Sequence, residues 1–193
     1  MPLFAPSGQS LAAPSATALT SASAGAAPAT AIAQTIPWWF VTSSTVAVAS
    51  GTLYLHAVTL PAGVPVSNIT WTIGSTGGLT LTHGWYALVN TALLQVAHTA
   101  DQTSGNMANA ADNTKALVTP YMPPVTAQYF LGICVVASTQ PTIVGSGGGQ
   151  GGSMFTAHPS SGSSSTGLTT PGTDGTTTYG AMSATAPMYG YAS

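Results

Sequence analysis

Very few side chains in this chain are equipped for acid–base, nucleophilic or metal chemistry. Only four of its 193 residues carry a charge at neutral pH, and neither glutamate nor arginine occurs. The reactive set consists of Asp101, Asp112, Asp174, Lys115, the histidines His56, His83, His98 and His158, and the single cysteine Cys134. Any active site would have to be built from these residues.

The spacing of these residues gives little support to a catalytic or metal site. No pair of histidines or cysteines has the H-x-x-x-H or C-x-x-C spacing of a zinc site. Asp101 and Asp112 lie in one polar loop, and a glycosidase-like carboxylate pair is one interpretation of them. We favour the other interpretation, in which both solubilise the loop and Lys115 supplies a counter-charge. We therefore predict a non-enzymatic protein without metal or cofactor.

The low charge also bears on possible partners and on cell location. Charged residues make up 2 % of the chain, against about a quarter in an ordinary soluble domain. One lysine cannot neutralise several phosphates, which argues against nucleic-acid binding.

No apolar run approaches the roughly 18 residues of a membrane-spanning helix. No lysine or arginine precedes Lys115, so we expect synthesis in the cytoplasm without a signal peptide.

Residues 37–144 have the pattern of an all-β domain. Short runs rich in valine, isoleucine, threonine and aromatic residues alternate with turn residues about every ten positions, and no helical period appears. About eight such runs predict an antiparallel β-sandwich or jelly-roll-like core. We expect Trp71, Trp85, Leu88, Phe130 and Ile133 to be buried in it. Cys134 lies in an apolar run, which predicts a buried and unreactive thiol.

The regions on either side of this domain are predicted to be extended arms. Residues 1–36 are rich in alanine, serine, threonine and proline, and residues 145–193 begin with a glycine-rich linker. Both contain too few large residues to form a core of their own. Their spaced large side chains are predicted to fill pockets on neighbouring chains, and six of them are our proposed assembly anchors: Phe4, Leu11, Phe155, Leu168, Tyr189 and Tyr191.

Several segments resemble a known class of protein. They are residues 59–64 (TLPAGV), 66–69 (VSNI), 83–89 (HGWYALV), 129–133 (YFLGI), 165–171 (STGLTTP) and 187–193 (PMYGYAS). Together they look like a small β domain of virion structural proteins, of the minor tail or head decoration type, in tailed phages that infect actinobacteria. The matching segments carry no catalytic residue. The resemblance implies a virion part, located on the capsid or the tail, whose partners are copies of itself and other virion proteins such as major capsid or tail proteins.

These observations predict a non-enzymatic virion structural protein. We favour a capsid decoration or cement protein that ties neighbouring subunits together through its arms, and a minor tail or fibre component is the alternative. A third hypothesis is a host-adhesion module that binds a surface glycan. Its basis is the aromatic residues Trp71, Trp85, Tyr86 and Tyr54, which could stack on sugar rings. Burial of these rings would argue against such stacking.

Overall fold

The structure is a computed structural model that describes residues 28–38, 41–146 and 161–193. These residues form twelve strands, here numbered in chain order, and they contain no α-helix. The strands are β1 (Ala33–Gln34), β2 (Thr42–Ala47), β3 (Tyr54–Leu60), β4 (Val66–Thr72), β5 (Leu79–Asn90), β6 (Gln95–His98), β7 (Asp112–Tyr121), β8 (Ala127–Thr139), β9 (Thr142–Gly145), β10 (Ser161–Ser163), β11 (Ser183–Ala184) and β12 (Gly190–Ala192). The predicted all-β class is confirmed. No helix in the described ranges is long and apolar enough to cross a membrane.

The strands are arranged in three antiparallel sheets. The largest sheet has the order β11-β10-β3-β8-β5-β6, the second has the order β1-β12-β4-β7, and β2 pairs with β9 in the third. The long strands β5 and β8 are paired from Leu79 opposite Thr139 to Asn90 opposite Tyr129. Several antiparallel sheets thus pack together, as expected for an all-β sandwich.

The core lies between the six-stranded and the four-stranded sheet. Trp71 and Ile69 of β4 face Leu88 of β5 and Leu131 of β8, and all four side chains are fully buried. The five core residues expected from the sequence are buried as predicted: Trp71, Trp85, Leu88, Phe130 and Ile133. Period-two alternation explains the burial of Trp71, because Ile69 and Trp71 of β4 and the adjoining Ile73 fall on one face.

A second apolar layer covers the other face of the six-stranded sheet. Trp85 and Phe130 point to this face, where they pack with Tyr179 and with the partly buried Leu168 and Met182. The indole of Trp85 donates a hydrogen bond to the carbonyl of Thr169 at 3.2 Å. Residues 164–182 therefore act as a cover for the sheet.

The C-terminal part of the chain differs from the predicted extended arm. β10 pairs with β3, and β12 lies between β1 and β4. β1 itself lies before residue 37, in the region predicted as the N-terminal arm. Met188 and Ala192 join the main core, whereas Tyr189 and Tyr191 form a separate small apolar cluster with Ile36. Burial of these side chains against other parts of the chain offsets the cost of ordering the segment.

β12 approaches β4 so closely that one glycine is required. A β-carbon placed on Gly190 would lie 2.7 Å from Cε3 of Trp71 and 2.9 Å from the carbonyl oxygen of Thr70. Any other residue would force the two strands apart. Gly190 therefore lets the C-terminal strand seat against the buried tryptophan.

Candidate functional site

The first polar cluster joins the start of β5 to the loop that follows β6. Asp101 accepts a hydrogen bond from the backbone nitrogen of Gly84 at 2.9 Å, and its other oxygen lies 2.6 Å from Nδ1 of His83. Nearby, Lys115 donates to the side-chain oxygen of Gln102 at 2.8 Å. Burial lowers the pKa of Lys115, and the charge of Asp101 opposes this shift. These contacts hold the loop against the sheet.

Asp112 belongs to a different set of contacts. Its two oxygens accept hydrogen bonds from the hydroxyl of Thr72 at 2.5 Å and from that of Tyr191 at 3.1 Å. In both Asp101 and Asp112, each carboxylate oxygen thus has its own hydrogen-bond donor. This arrangement fits the favoured structural interpretation better than a catalytic carboxylate pair.

The third cluster fastens residues 172–179 to β6. The side-chain nitrogen of Gln95 donates to Asp174 at 2.8 Å and to the carbonyl of Gly172 at 2.7 Å. Nδ1 of His98 lies 2.9 Å from the same Asp174 oxygen, and the hydroxyl of Tyr179 donates to Gln95. Burial raises the pKa of Tyr179 to about 12. We call Gln95, His98, Asp174 and Tyr179 the β6 latch.

Sequence reasoning missed the role of Gln95 in this latch. A signal was present, because Gln95 lies between Leu94 and Val96 in an otherwise apolar run. A long polar side chain buried in such a strand requires hydrogen-bond partners from elsewhere in the fold. Its partners Gly172, Asp174 and Tyr179 lie 77 to 84 residues further along the chain, where spacing gives no indication of contact.

His56 and Cys134 are buried and isolated from solvent. Nδ1 of His56 accepts a hydrogen bond from the backbone nitrogen of Met188 at 3.4 Å, and its ring packs edge-on against Trp71 at 5.5 Å. Burial lowers the pKa of His56 to about 3 and raises the pKa of Cys134 to about 12. Both are therefore neutral at physiological pH. Within the described residues no group of three or more metal-ligand side chains occurs; His158 lies outside them.

The predicted assembly anchors divide into two groups. Phe4, Leu11 and Phe155 lie outside the described residues. Leu168, Tyr189 and Tyr191 pack inside their own chain, where Tyr189 is fully buried and Tyr191 is 7 % exposed. The ring of Tyr189 contacts that of Trp38 at 4.9 Å in an edge-to-face arrangement. Here the structure differs from the expectation that these side chains fill a neighbour's pockets.

The aromatic residues suggested for sugar stacking offer no exposed ring face. Trp71, Trp85 and Tyr86 are fully buried, and Tyr54 is buried as well. The hydroxyl of Tyr86 is bonded to Asn113 at 2.6 Å, which further fixes the ring inside the fold. Stacking of a sugar on these four side chains would require unfolding of the core.

A polar groove lies on the outer face of the four-stranded sheet. Its volume is about 480 Å³, and the described residues that line it are Thr30, Ser67, Asn68, Thr70, Thr114, Tyr191 and Ser193. Tyr191, Thr70 and Thr114 are direct cross-strand neighbours on β12, β4 and β7. Because Ile69 and Trp71 point into the core, Thr70 points to the opposite face of the sheet. We call this feature the polar groove.

A group of exposed apolar side chains marks one end of the sandwich. Val64 is 36 % exposed in the turn between β3 and β4, and Met122 and Val125 are each 61 % exposed between β7 and β8. The two turns are joined by a hydrogen bond from the backbone nitrogen of Gly63 to the carbonyl of Pro123 at 2.9 Å. We call Val64, Met122 and Val125 the apolar tip.

In the described part of the chain, the polar groove and the apolar tip are two surfaces to which we assign no role in the fold. Comparison of the chain with known protein families, with curated proteins and with solved structures gave no match. The function proposed below therefore depends on the residues and geometry of this chain.

Proposed function

We propose that this protein is a non-enzymatic structural component of a phage virion, and that it decorates the capsid surface. The six segments that resemble virion proteins of actinobacterial phages support this proposal. The near absence of charge supports it too, because association in large assemblies then meets little long-range repulsion.

The non-enzymatic part of the proposal rests on one observation: the aspartate side chains are all engaged in hydrogen bonds within the fold. Asp101, Asp112 and Asp174 each accept at least two hydrogen bonds that join separate parts of the chain. Lys115, the one basic residue besides the histidines, is engaged by a neutral amide. A general acid or base needs access to a substrate proton, and these groups are engaged in holding loops and strands together.

The apolar tip is our proposed attachment surface on the described part of the chain. Its three side chains are exposed at one end of the sandwich, and burying them against a neighbouring virion subunit would remove apolar area from water. Phe4, Leu11 and Phe155 stay in the proposal as additional anchors. Since few charges are available for such a contact, we expect its strength to change less than about tenfold between roughly 50 and 500 mM salt.

The location can be tested by mass spectrometry of purified virions of the phage that encodes this chain, after separation of heads from tails. We expect the chain in the head fraction at many copies per particle. Recovery with tails would instead support the minor tail or fibre alternative. Absence from both fractions, with the chain detected in infected cells, would overturn the virion proposal.

The attachment surface can be tested by adding purified variants to particles that lack the protein. Met122→Gln and Val125→Thr should lower the bound fraction, because both reduce the apolar area of the tip. Leu79→Thr is the matched control: Leu79 is 47 % exposed, and β8 places it at the other end of the sheet. Equal binding of all three variants would exclude the tip as the attachment surface.

A further inference from the structure

The polar groove lies beside an irregularity in the pairing of β4 with β7. Val66 and Ile69 are both fully buried, although regular alternation would place residues three apart on opposite faces. The pairing of β4 with β7 shifts here: Val66 is opposite Tyr121 but Asn68 is opposite Ala116, so β7 contains the extra residues of the bulge. As a result, the consecutive residues Ser67 and Asn68 both line the groove. Bulges of this kind redirect side chains and are frequent beside functional sites.

Three of the lining side chains have hydrogen-bonding capacity to spare. The backbone nitrogens of Ser67 and Asn68 donate to the carbonyl of Ser193, both at 2.8 Å, and this fixes the bulge. Within the described residues, the hydroxyls of Thr30 and Ser67 and the amide of Asn68 have no protein partner. Thr70 and Thr114 bond to each other at 2.8 Å and form the floor. The groove therefore has a fixed floor and a wall with open donors and acceptors.

The lining selects for one class of small ligand. None of the described side chains that line it is charged, and Lys115 is engaged with Gln102, so the lining offers an anion no counter-charge. For a cation, the nearby acceptors are already in use: Asp112 is occupied by Thr72 and Tyr191, and the main-chain oxygen of Ser193 accepts two backbone hydrogen bonds. An apolar ligand would desolvate the hydroxyls without replacing their hydrogen bonds. A neutral ligand with many hydroxyls satisfies the lining.

We propose that the polar groove binds a neutral oligosaccharide. Its volume of about 480 Å³ lies within the range of roughly 300–1,000 Å³ for small-molecule sites. Recognition takes place through the hydroxyl and amide groups of Thr30, Ser67 and Asn68 rather than through ring stacking. A peptide strand fits less well, because the groove lies on the face of the sheet, where the backbone groups are already paired within the sheet. This inference goes beyond the proposed virion role and does not depend on it.

The proposal can be tested by nuclear magnetic resonance on the ¹⁵N-labelled full chain. Maltotriose, cellotriose and tri-N-acetylchitotriose are the probes, each titrated to low-millimolar concentration. We expect at least one of them to shift the backbone amide signals of Ser67, Asn68 and Thr114. The dissociation constant should be on the order of 1 mM, as a few solvent-exposed hydrogen bonds provide only weak binding.

Two variants and a control test whether the sugar-induced signal shifts arise from binding in the polar groove. Asn68→Ala and Ser67→Ala should each weaken binding by up to about tenfold. Asn109→Ala removes an exposed asparagine outside the groove lining and should leave the affinity unchanged. The proposal is overturned if none of the three sugars shifts these signals, or if the shifts occur elsewhere. It is also overturned if a peptide of residues 1–27 binds the groove while the sugars do not. These titrations use the isolated chain, so their outcome is independent of where the protein is located in a virion.

Discussion

The two large sheets of this protein are assembled in different ways. The six-stranded sheet takes its long strands β3, β5 and β8 from one continuous region of the chain. The four-stranded sheet combines β4 and β7 from that region with β1 and β12, which are two and three residues long and come from opposite sides of it. Bringing such short strands together from distant parts of the chain costs loop-closure entropy before any contact between them forms. The second sheet therefore depends on the return of the C-terminal segment.

Residues 187–193 make contacts that explain this dependence. The backbone nitrogen of Tyr189 donates to the carbonyl of Val144 at 2.7 Å, and that of Met188 donates to the ring of His56. The hydroxyl of Thr35 donates to the carbonyl of Met188 at 2.6 Å. One short segment thus joins β1, β3, β4 and β9. Its loss should affect the whole sandwich rather than a single edge.

Removal of residues 161–193 should have the largest effect. We expect the cooperative thermal transition to be lost or its midpoint to fall by more than about 10 °C, because β12 and the cover over Trp85 are lost together. Calorimetry and tryptophan fluorescence would measure this. Adding a peptide of residues 161–193 should restore the transition, whereas the same peptide carrying Tyr189→Ala and Tyr191→Ala should not. A truncated chain that unfolds like the full chain would show that the first sheet is independent of the second.

Tyr189→Ala should destabilise the protein by about 3–5 kcal/mol, comparable to Trp85→Ala in the six-stranded sheet. Both side chains are fully buried, so truncation to alanine leaves a large cavity at either position. Tyr189→Phe is the control, because it keeps the ring and removes only a long hydrogen bond of 3.4 Å to Gln34. Chemical denaturation gives the free energies of unfolding. A cost below about 1 kcal/mol for Tyr189→Ala alone would mean that the C-terminal segment adds little to the core.

Acid should weaken the junction between the sheets through His56. Burial lowers the pKa of His56 from 6.5 to about 3 in the folded chain, so below pH 6.5 the unfolded state binds the extra proton. The stability contributed by this group is present above pH 6.5 and is lost as the pH falls toward about 3. Between pH 7 and 4 the loss should be about 3 kcal/mol.

Chemical denaturation of the wild type and of His56→Gln at pH 7 and 4 would isolate this contribution. The variant lacks the titrating ring, so its free energy of unfolding should fall less than that of the wild type. Equal losses in the two proteins would mean that acid acts through other groups.

The β6 latch should give the smallest effect. Asp174→Ala leaves Gln95 and His98 without their shared acceptor, but this site is partly exposed, so we expect a loss of about 1–2 kcal/mol. Thr170→Ala, at an exposed position just before residues 172–179, is the control and should change stability by less than about 0.5 kcal/mol. Limited proteolysis should show faster cleavage near residues 172–179 in Asp174→Ala only. Unchanged cleavage would mean that the latch does not hold this segment.

The sequence was sufficient to predict the central strands and the main core. Alternation in β4 and the long apolar runs of β5 and β8 indicate strands directly. It did not predict β10 and β12, because serine, threonine and glycine dominate that segment and only a few large residues carry its packing. A usable signal was the apolar run in β5 around Trp85, which is buried on both faces and therefore requires a cover from elsewhere. The polar groove depends on a bulge and is lined by residues from three strands and from the segment before β1. The spacing of residues along the sequence does not show that these segments meet.

Hydrogen exchange followed by mass spectrometry on the isolated full chain tests most directly whether the C-terminal segment is part of one cooperative fold. The amides of Tyr189, Gly190 and Ser193 are hydrogen-bonded to Val144, Thr35 and Asn68. We predict that peptides covering residues 187–193 exchange as slowly as those covering β5 and β8, at the rate of global unfolding. Exchange of residues 187–193 within seconds, while β5 and β8 stay protected, would contradict this account and would favour the extended arm predicted from the sequence.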